Sequence, residues 1–210
     1  MKILAVNGWG LKRDWFHRQV QVAFPAAAIT VIQPPETDVS PAAALEGDAK
    51  AVDLYLGYSL GSLWLIGHRR RIPAGAKKAL LAPILAFPSE KNMGGCVTAT
   101  QLRYLIRALR RAADPRPLLA SFYRDAGLGV LNDAFPEPAD PVHLIAGLEY
   151  LLNTHASALD AEGFITIAGE HDPLLDSGQL QRILPGLEIV PITGHAPLPL
   201  LKKLAALMRA

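Results

Sequence analysis

Ser59, Asp172 and His195 are the residues of this sequence whose types and settings could together make a hydroxyl nucleophilic. A serine hydroxyl is a poor nucleophile at neutral pH. It needs a base beside it, and the base needs an acid to hold its tautomer and its charge. Ser59 stands at the centre of Gly57-Tyr58-Ser59-Leu60-Gly61, after an apolar strand-like run and before a helix-like run over 62–70. A Gly-x-Ser-x-Gly turn in that setting holds the serine in a strained backbone that bulky neighbours could not share. The helix N-terminus behind it favours developing negative charge. Asp172 lies in Gly169-Glu170-His171-Asp172-Pro173, after a predicted strand. His195 lies in Thr193-Gly194-His195-Ala196-Pro197, after another. Glu170 and Asp176 stand close by as alternative acids. His171 precedes Asp172 on the same turn and is badly placed to bond to it. His17, His68, His143 and His155 fall within predicted helices, Asp53 within a predicted strand. Cys96 follows Gly94-Gly95 with no elbow around it.

The elements that must position these groups alternate. Strands are predicted at 2–6, 29–32, 52–56, 78–82, 163–168 and 187–192, and helices at 13–24, 62–70, 173–183 and 197–209. One or two helical turns are expected after Pro41. From 87 to 160 the pattern is helical, at 98–113, 116–126 and 141–158, with no strand. This reads as one α/β domain over 1–210: a mostly parallel sheet of about six strands, helices on both faces, and a helical lid at about 87–160. Parallel strands would bring the Ser59, Asp172 and His195 loops to one edge, and the insertion would cover it.

The totals exclude other classes. The chain has 210 residues, 50% of them hydrophobic and 19% charged, enough for a substantial core. A net charge of +2 makes no demand for nucleic acid. One cysteine excludes an internal disulfide and fits a reducing compartment. The first apolar run is too short for a signal peptide, and no run of about 18 apolar residues suggests a membrane span. A cytoplasmic monomer without metal or organic cofactor is the expectation.

The set Gly8-Trp9-Gly10-Leu11, Gly57-Tyr58-Ser59-Leu60-Gly61, Asp172 and Gly194-His195-Ala196-Pro197 resembles the α/β-hydrolase superfamily. Within it, the chain is most similar to pimeloyl-acyl-carrier-protein methyl ester esterases of biotin synthesis. The segment from Leu144 to Tyr150 resembles a Gly-Leu segment of that family. The family pattern has His-Gly where this chain has Asn7-Gly8, and often Trp where it has Tyr58. In this fold the oxyanion donors are the N–H after the nucleophile, here Leu60, and one from the turn after the first strand, here Trp9. The Trp9 ring would wall the acyl pocket or pack on the sheet edge.

The resemblance implies an acyl substrate on a carrier protein, whose distal methyl ester is cleaved to acid and methanol. Arg103, Arg107, Arg110 and Arg111 share one helix face, and Arg116 and Arg124 follow on the next helix. Such a face suits an acidic carrier and its phosphate, or is simply solvated. Phe122 and Tyr123 are candidates for the acyl channel or for lid core. Two other readings keep the fold: a small carboxylesterase or thioesterase for free acyl esters, and a binding protein without turnover.

Overall fold

Short apolar runs alternate with amphipathic segments, and the chain folds accordingly. The computed structural model describes residues 1–34, 52–128, 134–135 and 140–209. The helical turns expected after Pro41 lie outside them. β1 (Lys2–Val6) leads into α1 (Arg13–Ala23), which buries Trp15, Phe16, Val20 and Ala23. β2 (Ala28–Ile32) comes next. β3 (Leu54–Tyr58) is buried along its whole length, and α2 (Leu60–Gly67) starts two residues after its last member. β4 (Lys77–Leu81), β5 (Ala86–Pro88) and β6 (Gly94–Val97) follow. The helices α3 (Ala99–Arg111), α4 (Arg116–Asp125) and α5 (Pro141–Asn153) come before β7 (Ile165–Gly169). α6 (Ser177–Ile183), β8 (Glu188–Val190) and α7 (Pro197–Leu207) complete the described order.

Six strands form one parallel sheet in the order β2-β1-β3-β4-β7-β8. Val6 pairs with Gly57, Tyr58 with Leu81, Leu81 with Ile167 and Gly169 with Val190, so the strands end on one edge. From β1 the chain crosses to β2 on one side; from β3 it crosses to β4 on the other. Right-handed crossovers running in opposite directions put α1 and α2 on opposite faces. α1 packs on α7, and α2 packs across β3 and β1. With both faces covered, the strands read as continuous apolar runs such as Leu54-Tyr-Leu56.

Several boundaries differ from those expected. β3 runs over 54–58, two residues later than the sequence suggested, so Gly57 and Tyr58 belong to the strand and Asp53 precedes it. Asp53 instead accepts a hydrogen bond from the Lys2 N–H at 2.7 Å. The insertion is not purely helical: β5 and β6 pair in a small parallel sheet of their own. Strands of three and four residues, one ending in proline and one opening Gly-Gly, carry no readable period. α5 stops at Asn153, five residues early. Thr154 is extended, Ala156 N–H bonds to the Leu85 carbonyl, and His155 bridges to Ala86. His155 is therefore not helical. Asp176 caps α6, so that helix begins at Ser177, and Pro191 closes β8.

Candidate active site

At the end of β3, Ser59 adopts φ 53° and ψ −120°. A non-glycine residue there costs about 1–3 kcal/mol, so its surroundings must enforce it. They do. Ser59 N–H bonds to the Leu81 carbonyl at 2.9 Å. The Ser59 carbonyl accepts from the Ser62 N–H at 2.8 Å and the Ser62 hydroxyl at 2.6 Å. Ser62 Oγ in turn accepts the Ile84 N–H at 2.9 Å. Close approach explains the flanking glycines. A Cβ on Gly57 would lie 2.6 Å from the Gly61 carbonyl oxygen, and one on Gly61 would lie 2.2 Å from that of Val6.

Asp172 and His195 arrive from the ends of β7 and β8. His195 Nε2 lies 2.9 Å from Ser59 Oγ, and His195 Nδ1 lies 2.7 Å from Asp172 Oδ2. With the proton on Nδ1, the ring donates to Asp172 and accepts from the Ser59 hydroxyl. Asp172 Oδ1 is occupied as well, accepting the Leu174 N–H at 2.9 Å. All three residues are buried; Ser59 keeps 8% exposure. Such a chain can move a proton off the hydroxyl and leave an imidazolium stabilised by a carboxylate.

The rival acids do other work. Asp176 accepts the Gln179 N–H as the cap of α6. Glu170 is at the surface, where its carboxylate accepts the Ile192 N–H at 3.0 Å. His171 lies 3.7 Å from Glu170 and faces solvent. His68 stacks on Trp64 with ring centroids 3.9 Å apart, its Nδ1 2.8 Å from the Trp64 carbonyl. His17 lies in α1, and in α5 the Nε2 of His143 is buried without a partner. Cys96 is exposed on β6; partial burial, then Asp176 and Asp172, push its thiol up from the usual range.

Trp9 sits in the turn after β1. Its ring is buried, its Nε1–H donates to the Leu144 carbonyl at 2.8 Å, and it meets the Phe122 ring edge-on at 4.8 Å. Gly147 of α5 closes the other side. A Cβ there would lie 2.5 Å from Trp9 Cδ1 and 3.5 Å from Leu60 Cδ2, so Trp9 and Leu60 flank one spot. Leu60 N–H is the first of α2 and has no carbonyl behind it within the helix. Tyr123 is buried, and its hydroxyl donates to the Gly10 carbonyl. It ties α4 to the Trp9 turn, whereas Phe122 is half-buried against Trp9.

The arginines are all exposed. The structure pairs two of them with carboxylates, Arg110 with Glu149 at 2.8 Å and Arg116 with Asp114 at 2.9 Å. Backbone N–H groups of Glu90 and Ala99, and less strongly the charge of Arg103, hold the Glu90 carboxyl below its usual range. Among the described residues, Arg107, Arg111 and Arg124 have no ion-pair partner. Two residues that organise the site carry no obvious signal in the sequence. Asn7, fully buried, donates to the Leu11 carbonyl and to Gln33 Oε1, both at 2.8 Å, and accepts the Gly8 N–H. Tyr58, also fully buried, donates to the His195 carbonyl at 2.8 Å. Position next to a motif residue is the one hint available for either.

No family model and no curated protein matches the sequence. Solved structures do match in shape. A thermophilic esterase from Thermogutta terrifontis is 14% identical, with all of this chain and 88% of that one covered, at a TM-score of 0.65. The fold is now decided. This chain has the α/β-hydrolase fold. An N-formylmaleamic acid deformylase from Pseudomonas putida is 11% identical over 99% and 90% of the two chains, with a TM-score of 0.63. A hydrolase from Pseudomonas aeruginosa is 18% identical over 100% and 90%, with a TM-score of 0.60. In the α/β-hydrolase fold, β5, β6 and α3 to α5 occupy the insertion between two sheet strands. No described helix is long and apolar enough to cross a membrane. Among the described residues, no three His, Cys, Asp or Glu side chains gather as a metal site.

Proposed function

We propose that the protein is a serine hydrolase of carboxylic esters. One observation carries this: a strained Ser59 whose Oγ lies 2.9 Å from an imidazole that is itself 2.7 Å from a buried carboxylate. Ser59 attacks the ester carbonyl while His195 takes its proton. Asp172 holds the Nδ1 tautomer and stabilises the imidazolium. The N–H groups of Leu60 and Trp9 receive the oxyanion. His195 then protonates the departing alcohol, and water, deprotonated by the same ring, releases the acid from Ser59.

The finer reading is a carrier-bound acyl chain bearing a distal methyl ester, in a cytoplasmic setting. The motif resemblance and the unpaired Arg107, Arg111 and Arg124 on α3 and α4 support it. The pairing of Arg110 and Arg116 with acids favours a second reading, hydrolysis of free acyl esters, because it reduces the net positive field of that face. A fluorophosphonate probe, located by mass spectrometry, should modify Ser59 and leave Ser59→Ala unmodified. Absence of labelling in the wild-type protein would end the hydrolase proposal. Acid release from a carrier-bound pimeloyl methyl ester, measured beside short nitrophenyl esters, then separates the two substrates.

A further inference from the structure

The residue before the nucleophile does more than fill the core. Tyr58 ends β3, so its main chain leads directly into the strained Ser59. Its ring stacks on Phe16 at 5.4 Å and lies tilted against the His195 imidazole, also at 5.4 Å. It bounds the Trp9 turn too: a Cβ on Gly8 would lie 2.8 Å from Tyr58 Cε1. A fully buried hydroxyl must find an acceptor. Here the acceptor is the carbonyl of His195 itself, at 2.8 Å.

The neighbouring ties on the His195 loop hold other residues. His171 N–H bonds to the Thr193 carbonyl at 2.8 Å, and Ile192 N–H to Glu170 at 3.0 Å. Those bonds fix the loop to the Asp172 side. Tyr58 fixes it to the Ser59 side.

We infer that Tyr58 is a positioning residue for the base: its buried hydroxyl sets the distance between the His195 imidazole and Ser59 from the nucleophile's own strand. The inference rests on the serine-hydrolase reading for its functional meaning, though the geometric coupling does not need turnover. Tyr58 and Ser59 are joined by one peptide bond, so the hydroxyl ties the His195 loop to the strand that carries Ser59. Burial, and then the charge of Asp172, push the Tyr58 phenol well above its ordinary range, so it remains a donor throughout neutral pH. Displacing a reacting group by about 1 Å costs about 10²-fold in rate; losing one anchor among several should cost less.

The test uses Tyr58→Phe, which keeps the ring and removes the hydroxyl. Fluorophosphonate labelling at a series of probe concentrations separates saturating rate from probe affinity. Solvent exchange of the His195 Nδ1 proton, followed by NMR, reads the imidazole independently of chemistry. The saturating rate should fall about tenfold, with affinity within about twofold, and the proton should exchange about tenfold faster. Equal rates and equal exchange in the two proteins would overturn the assignment. Wild-type protein that fails to label, but whose Nδ1 exchange still quickens in Tyr58→Phe, would sink the hydrolase reading and leave the positioning role standing. Should Tyr58→Phe not fold, 3-fluorotyrosine placed at residue 58 changes donor strength with little change in volume. Unaltered exchange in that protein would likewise overturn it.

Discussion

The carboxyl edge of the sheet and the exposed arginine face of α3 and α4 are built on opposite terms. At the edge, polar groups are buried and doubly committed: Asp172 serves His195 and Leu174, Ser62 serves Ser59 and Ile84, and Asn7 makes three bonds. On α3 and α4 the arginines stand in solvent, some paired with acids and some not. A buried group with an exact set of partners tolerates little change, because each unmade bond costs about 1–3 kcal/mol. A solvated charge is cheap to keep and cheap to lose. The edge therefore tolerates little substitution, and the arginine face tolerates much.

That contrast can be broken or sharpened by measurement. The largest effect is expected at Asp172→Asn, which keeps the shape and loses the tautomer control; kcat should fall by about 10⁴ while the fold persists in circular dichroism. A loss below tenfold would mean that the buried carboxylate is not coupled to the base. Next comes Asn7→Ala. It leaves the Gly8 N–H and the Leu11 carbonyl without that partner in a buried site, and should lower urea stability by about 2–4 kcal/mol. An unchanged midpoint would show that the turn holds itself. Arg107→Glu with Arg111→Glu should raise KM for a carrier-bound ester about three- to tenfold, with free-ester KM unaltered. Equal effects on both substrates would remove the distinction between edge and face. The smallest effect concerns Cys96. Its raised pKa means less thiolate at pH 7 than a free thiol carries, and the deficit disappears as pH climbs through the raised value. Iodoacetamide should therefore react with it more slowly than with glutathione at pH 7. Faster alkylation would contradict the stated surroundings.

The same division explains what was legible in the sequence. The six parallel strands came from apolar runs of about five residues separated by helical spacing, the strongest signals a chain carries. Ser59, Asp172 and His195 could be picked out because each follows a strand and lies within two residues of glycine or proline. The ends of elements were not legible. β3 runs on through Gly57 and Tyr58 because ladder bonds to β1 and β4 outweigh the glycine. β5 and β6 exist through contacts with segments far along the chain, such as Gly94 N–H to Gln179 and Cys96 N–H to the Leu174 carbonyl. Local spacing holds no record of those. Tyr58 was unreadable as an organiser for the same reason, its partner being 137 residues away, whereas Asn7 bonds within its own turn and to Gln33, contacts that an asparagine's type does not announce.

His195 hangs from the margin of the sheet. β8 is three residues long and, among the described residues, pairs with β7 alone, and the chain beyond it passes through Ile192, 88% exposed and at φ 52°. Margins fray before centres on warming. Heat should then act in two stages: His195 drifts out of register while Ser59, in mid-sheet, is still held, and only later does the sheet itself come apart.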